Sequence, residues 1–84
     1  MPRGYTYVLA GEVVATLLDL PKRQQWRLSD AFASLANNPH KFGRYTETDA
    51  EGHLIQFHFE AGWWIGCWAD DAVKELRITE VVQV

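Results

Sequence analysis

The chain has one cysteine, three prolines and no run of apolar residues near the roughly 18 that cross a bilayer. A lone Cys67 cannot close an internal disulfide, which fits a reducing compartment. The opening MPRGYTYVLAGE carries too short an apolar segment for a secretion signal, so a cytoplasmic location is expected, with no membrane partner. Positive charge is scarce: eight Lys and Arg stand against eleven Asp and Glu, a net charge of −3. A strongly basic footprint marks most nucleic-acid binders. Its absence means that any RNA contact must come from a local patch. Repeats, low-complexity linkers, Gly-rich phosphate loops, Ser-His-Asp sets and paired carboxylates are also missing. No cofactor is therefore expected. No metal site is expected either, because His53 and His58 lie five apart on one strand and point to opposite faces, with no second cysteine available.

What is present is apolar and aromatic. Hydrophobic residues make up 48% of the chain and aromatic residues 13%. That supports one small domain spanning residues 1–84 with a dense core. The chain is organised around His53 to Asp70, HLIQFHFEAGWWIGCWAD, which reads as two strands joined by a tight turn. A three-residue loop, Glu60-Ala61-Gly62, pairs Phe59 with Trp63, Phe57 with Ile65 and Ile55 with Cys67. One face is then wholly apolar, and needs covering. The other carries Leu54, Gln56, His58, Trp64, Gly66 and Trp68. A two-residue loop would leave both faces mixed, so the longer loop is expected.

Ahead of the hairpin, Tyr5 to Leu9 is a strand candidate, and Gly11 opens a short helix that ends at Leu20-Pro21. Pro21 suits the first position of a second helix, with Asp19 near its positive end. From Lys22 to Ala36, Leu28, Ala31, Phe32 and Leu35 follow the i, i+3, i+4, i+7 pattern. Asn37, Asn38 and Pro39 stop that helix. Arg44 to Asp49 reads as a polar edge strand, Asp49 to Gly52 as a turn, and Lys74 to Val82 as the last strand. The expected fold is α+β: β-α-α-β-β-β-β, a helical hairpin on one face of a mostly antiparallel sheet.

The order strand, helix, LPKRQQWRL, LANNP and strand meander resembles the RelE/ParE-like toxin fold. Leu20-Pro21 followed by basic residues is similar to the family's second-helix start, and Leu35 to Pro39 to its LxxxP helix end. Tyr45, Asp49, Gly52 and Trp68 to Glu75 resemble a subgroup of short members. The resemblance implies a type II toxin–antitoxin component, of the plasmid-stabilisation kind, silenced by a partner antitoxin. RelE-like members cleave mRNA within the ribosome, and ParE-like members inhibit DNA gyrase. The RelE branch uses Arg and Lys on the open sheet face, often with a Tyr or His near the C-terminus. Here the position after Gly62-Trp63, frequently Arg in the family, is Trp64, and Val81 to Val84 supply no Tyr, His or Arg. The basic set for an endoribonuclease is thus incomplete.

If the chain does cleave RNA, a base or acid and a cation must share one face. His58 titrates near neutrality, Arg77 shares its expected face, and Arg44 lies on the neighbouring strand. Trp64, Trp68 and Gln56 offer a surface for bases or for a partner. Lys22, Arg23 and Arg27 form a basic group at the start of the second helix, with Trp26 off its core stripe. These residues also suit a non-toxic interaction domain or homodimer of the same fold, built through Trp64 and Trp68.

Overall fold

In the computed structural model, which describes residues 4–84, the elements run β1 (Thr6–Leu9), α1 (Gly11–Leu18), α2 (Lys22–Ala36), β2 (Tyr45–Thr48), β3 (Leu54–Glu60), β4 (Trp63–Asp70) and β5 (Glu75–Gln83). The five strands form one sheet in the order β1-β5-β4-β3-β2. β1 runs parallel to β5, and the other neighbours are antiparallel. No helix is long and apolar enough to cross a membrane.

The helices follow from their apolar spacing. Leu28, Ala31, Phe32 and Leu35 form the buried stripe of α2, and Ala36 extends it. On α1, Val13 is buried and Leu17 packs against the core. Pro21 breaks the chain between the helices. It holds φ at −58° and ψ at 152° as the N-cap of α2, one position outside the helix it was expected to begin. Asp19 caps the C-terminal end of α1 rather than serving the start of α2. The helices lie over the β1, β5 and β4 part of the sheet. There Val13, Leu28, Phe32 and Leu35 meet Trp63, Ile65, Cys67, Leu76 and Ile78.

The hairpin departs from the sequence reading. Its loop has two residues, Ala61 and Gly62, with φ of +57° and +85°. Positive φ at both central positions is the type I′ geometry, whose twist matches the flanking strands. Glu60 therefore pairs with Trp63, Phe59 with Trp64, His58 with Ile65, Phe57 with Gly66 and Gln56 with Cys67. Directly opposed residues share a side. β4 faces as expected, with Trp63, Ile65 and Cys67 under the helices. β3 is inverted: Gln56 and His58 share the helical side, while Ile55, Phe57 and Phe59 share the open side with Trp64 and Trp68.

The physical reason lies in what each side of β3 meets. The helices do not cap β3. The segment Pro39 to Arg44 crosses it instead, and the Gly43 N–H donates to Gln56 Oε1 at 2.7 Å. A polar strand face suits that polar cover. On the open side Phe57 is buried by its neighbours: its ring stacks on Tyr45 at 4.8 Å and 4°. It also fills the space above Gly66, where an added Cβ would sit 2.8 Å from Phe57 Cε2. A bulge in β5 opposite Gly66 and Cys67 leaves Thr79 unpaired, and the Thr79 hydroxyl donates to the Gly66 carbonyl at 3.1 Å.

Candidate functional site

Three surfaces hold the residues that the sequence singles out. The first is the open sheet face. Tyr45 and Phe59 each lie within ring contact of Trp64, at 5.3 and 5.2 Å between centroids. With Phe57 beneath, they form a plate of four aromatic rings near the β2 edge. Farther along the sheet, His53 stacks on Trp68 at 3.8 Å, nearly parallel. The two tryptophans expected on this face are on it. The charge there is not that of a phosphate-binding surface. Arg77 opposes Trp68, but its guanidinium pairs with Glu75 at 2.8 Å and approaches Asp70 at 3.6 Å. Arg77 Nε is buried without a partner.

His58 does not join Arg77. The register puts His58 opposite Ile65 and Arg77 opposite Trp68, on opposite sides of the sheet. The expected pair is not assembled, because the two-residue turn shifts β3 by one step relative to β4. Gln56 also leaves the expected open face and clamps Gly43 instead.

The second surface is where His58 does go. His58 is 5% exposed and lines a groove of about 290 Å³ with Lys41, Phe42, Gly43, Arg44, Phe59 and Glu60. Of the expected catalytic residues, Arg44 lines this groove with His58, and Arg77 does not. Burial, with the Lys41 charge nearby, holds the His58 pKa below its ordinary value; Glu60 acts weakly in the other direction. Lys41 was not singled out in the sequence, because only the crossing of the 39–44 segment over β3 brings it to His58.

The third surface is the outer side of α2. Lys22, Arg23, Trp26 and Arg27 are all exposed there, Trp26 to 69%. Trp26 is thus not packed under α1. This cluster is a solvated cationic patch with an aromatic anchor.

Two further clusters were not expected. The Tyr5 hydroxyl donates to Asp71 Oδ1 at 2.7 Å, and His40 Nε2 meets the same oxygen at 3.0 Å. That hydrogen bond raises the Tyr5 pKa. The cluster ties the start of the chain, the loop after α2 and the β4–β5 turn together. At the β2–β3 turn, Asp49 Oδ1 accepts the N–H groups of Glu51 and His53, and Asp49 Oδ2 meets His53 Nδ1 at 3.0 Å. These bonds hold the Asp49 carboxyl below its ordinary pKa. Asp49, Glu51 and His53 bring potential metal-ligand atoms within 4.8 Å of one another. They already satisfy one another in closing the turn. Cys67 is 2% exposed, and burial pushes its thiol up to about 12, as suits a core residue rather than a nucleophile.

These features define the class: a five-stranded, mostly antiparallel sheet with a helical hairpin on one face, an open aromatic face opposite, and the RelE-like order of elements. The particular likeness is to a chain of the crystal structure of the archaeal RelE–RelB complex from Pyrococcus horikoshii OT3. The two superpose with a TM-score of 0.72 at 17% identity, over 95% of this chain and 94% of that one. The fold is RelE-like along essentially its whole length. No protein-family model matches the sequence, and no curated protein matches it.

Proposed function

We propose that this protein is the toxin component of a type II toxin–antitoxin module and is held inactive by a cognate antitoxin. The observation that carries this reading is the RelE-like fold over 95% of the chain, in a likeness to a structure that is itself a RelE–RelB complex. The open face supplies a docking surface of the right kind. Phe59, Tyr45 and Val82 are 38%, 44% and 49% exposed beside Trp64. An uncovered aromatic patch of this sort favours a protein partner. Trp26 with Lys22, Arg23 and Arg27 offers a second anchor on α2, suited to an acidic segment of that partner.

Toxicity in this reading acts through a protein target. Arg77, on the open face beside Trp68, is neutralised by Glu75 and Asp70, which disfavours a phosphate backbone there. An mRNA endoribonuclease of the ribosome is the competing activity, with Arg44 beside His58 as its remaining support.

The test is expression from a tightly repressed promoter in the source organism. Induction should arrest growth, and co-expression of the product of the adjacent gene should relieve the arrest and co-purify with the protein. Normal growth with abundant folded protein would remove the reading in favour of a non-toxic interaction domain. Arrest that survives Arg77→Ala but not His58→Gln would transfer the activity to the endoribonuclease.

A further inference from the structure

The open sheet face is acidic as well as aromatic. Strand alternation sends Glu47 to the side that Tyr45 and Ile55 share, and Asp70 to the side of Trp68. Glu75 pairs with Asp70 and Glu80 with Gly66, so both face the same way. An added Cβ at Gly66 would sit 2.8 Å from Phe57 Cε2 and 3.2 Å from Glu80 Cγ, which puts the Glu80 side chain on the side of Phe57. Glu47, Asp70, Glu75 and Glu80 thus share the open face with Arg77, and Asp70 and Glu75 already hold that arginine. Glu47 and Glu80 are exposed, and among the described residues neither enters an ion pair. Cations lie on other surfaces: Lys22, Arg23 and Arg27 on α2, and Lys41 and Arg44 along the groove of His58.

Glu47 and Glu80 stand at the two sides of the aromatic plate. Glu47 is on β2 and Glu80 on β5, three strand spacings apart, or about 14 Å. Phe57 and Phe59 on β3 and Trp64 on β4 lie between those strands. Aromatic ring faces attract cations, and carboxylates beside them accept the guanidinium fork or the ammonium head. A phosphate chain or an acidic segment would instead meet uncompensated like charge here.

We propose that the open face docks an extended basic segment of a protein partner. An apolar side chain of the segment covers the plate at Trp64, and Arg or Lys side chains on either side of it reach Glu47 and Glu80. In an extended chain the residues i, i+2 and i+4 point one way, and i to i+4 spans about 13 Å. The segment therefore places a cation at i, an apolar residue at i+2 and a second cation at i+4. It is the part of the antitoxin proposed above that meets this face, so the assignment rests on that docking. Its charge is opposite to that of the segment suited to Trp26 and the α2 cations.

The indole N–H resonances of Trp26, Trp63, Trp64 and Trp68 read the binding site by two-dimensional NMR. The probe is the peptide Gly-Arg-Thr-Leu-Thr-Arg-Gly, and its charge-reversed control is Gly-Glu-Thr-Leu-Thr-Glu-Gly. The expected result is a saturable shift at Trp64 while Trp26 and Trp63 stay still. The Arg peptide should bind at least tenfold tighter than the Glu peptide at low salt, where exposed charges are least screened. E47Q/E80Q should weaken the Arg peptide at least tenfold. Both side chains are exposed, so retained amide dispersion verifies the fold. Equal affinity for the two peptides, an unchanged affinity in E47Q/E80Q, or movement at Trp26 in place of Trp64 would each overturn the proposal. A Trp64 shift that grows with protein concentration in the absence of peptide would give the face to a second copy and overturn it as well. Growth arrest relieved by the adjacent gene product, with no response to the Arg peptide, would overturn the basic segment and leave the toxin reading standing. A full peptide response in a protein that arrests no growth would support the basic segment and remove the toxin reading.

Discussion

Ala61 carries the hairpin at a backbone angle that L-residues avoid. Its φ of +57° is paid for by the type I′ turn that it closes with Gly62. Ala61→Gly should raise stability by about 0.5–1 kcal/mol, since glycine takes that conformation without strain but is freer when unfolded. Chemical denaturation should show a higher midpoint with an unchanged slope. His58 sets a second expectation at this scale. Its folded pKa lies below the ordinary 6.5, so below about pH 6.5 the unfolded chain binds more protons than the folded one. The contribution of neutral His58 is complete above that pH and is lost as the pH falls toward the folded pKa. In His58→Gln the acid limb of the stability profile should flatten over that window. A profile that keeps the wild-type slope would assign the loss to carboxylates instead.

At the scale of elements, α2 and the hairpin differ in how far their sequences determine them. The α2 stripe buries Leu28 and Phe32 completely, each at 0% exposure. Its period and its Pro and Asn boundaries are local properties, so the helix is legible before folding. Phe32→Ala should cost about 3–5 kcal/mol, a large share of the 5–15 kcal/mol typical of a whole domain. Thermal unfolding by circular dichroism reads that loss. The hairpin was legible as a hairpin, from alternation and from Gly62. Its register was not. The choice between a two-residue and a three-residue turn moves every β3 side chain to the other face. Apolar residues on both faces of β3 and β4 made the hydrophobic pattern a poor guide. The polar 39–44 cover and the gap above Gly66 decided it, and neither is near in sequence.

Over the whole molecule, the sheet separates two kinds of surface. The helical side holds the core and, at its uncapped end, the Lys41–Arg44–His58 groove. The open side holds the aromatic plate and the neutralised Arg77. If the plate docks the antitoxin, Trp64→Ala should retain cooperative unfolding while weakening that complex at least tenfold by titration calorimetry. Unchanged affinity would move the docking surface to Trp26 on α2. Trp64 and Trp68, both half-buried on the open face, were legible as open-face residues from strand alternation. The grouping of His58 with Lys41 and Arg44 was not, because it joins a loop to a strand across a crossing that no local pattern encodes.

By itself the sequence determined the element types, their order, the helical core stripe and the α+β layering, because each follows from periodicity and from proline and glycine within a few residues. Only the tertiary structure decided which face of β3 meets solvent, and so which cation His58 meets. That choice rests on packing between segments far apart in the chain, where the balance between two nearly equivalent registers is struck.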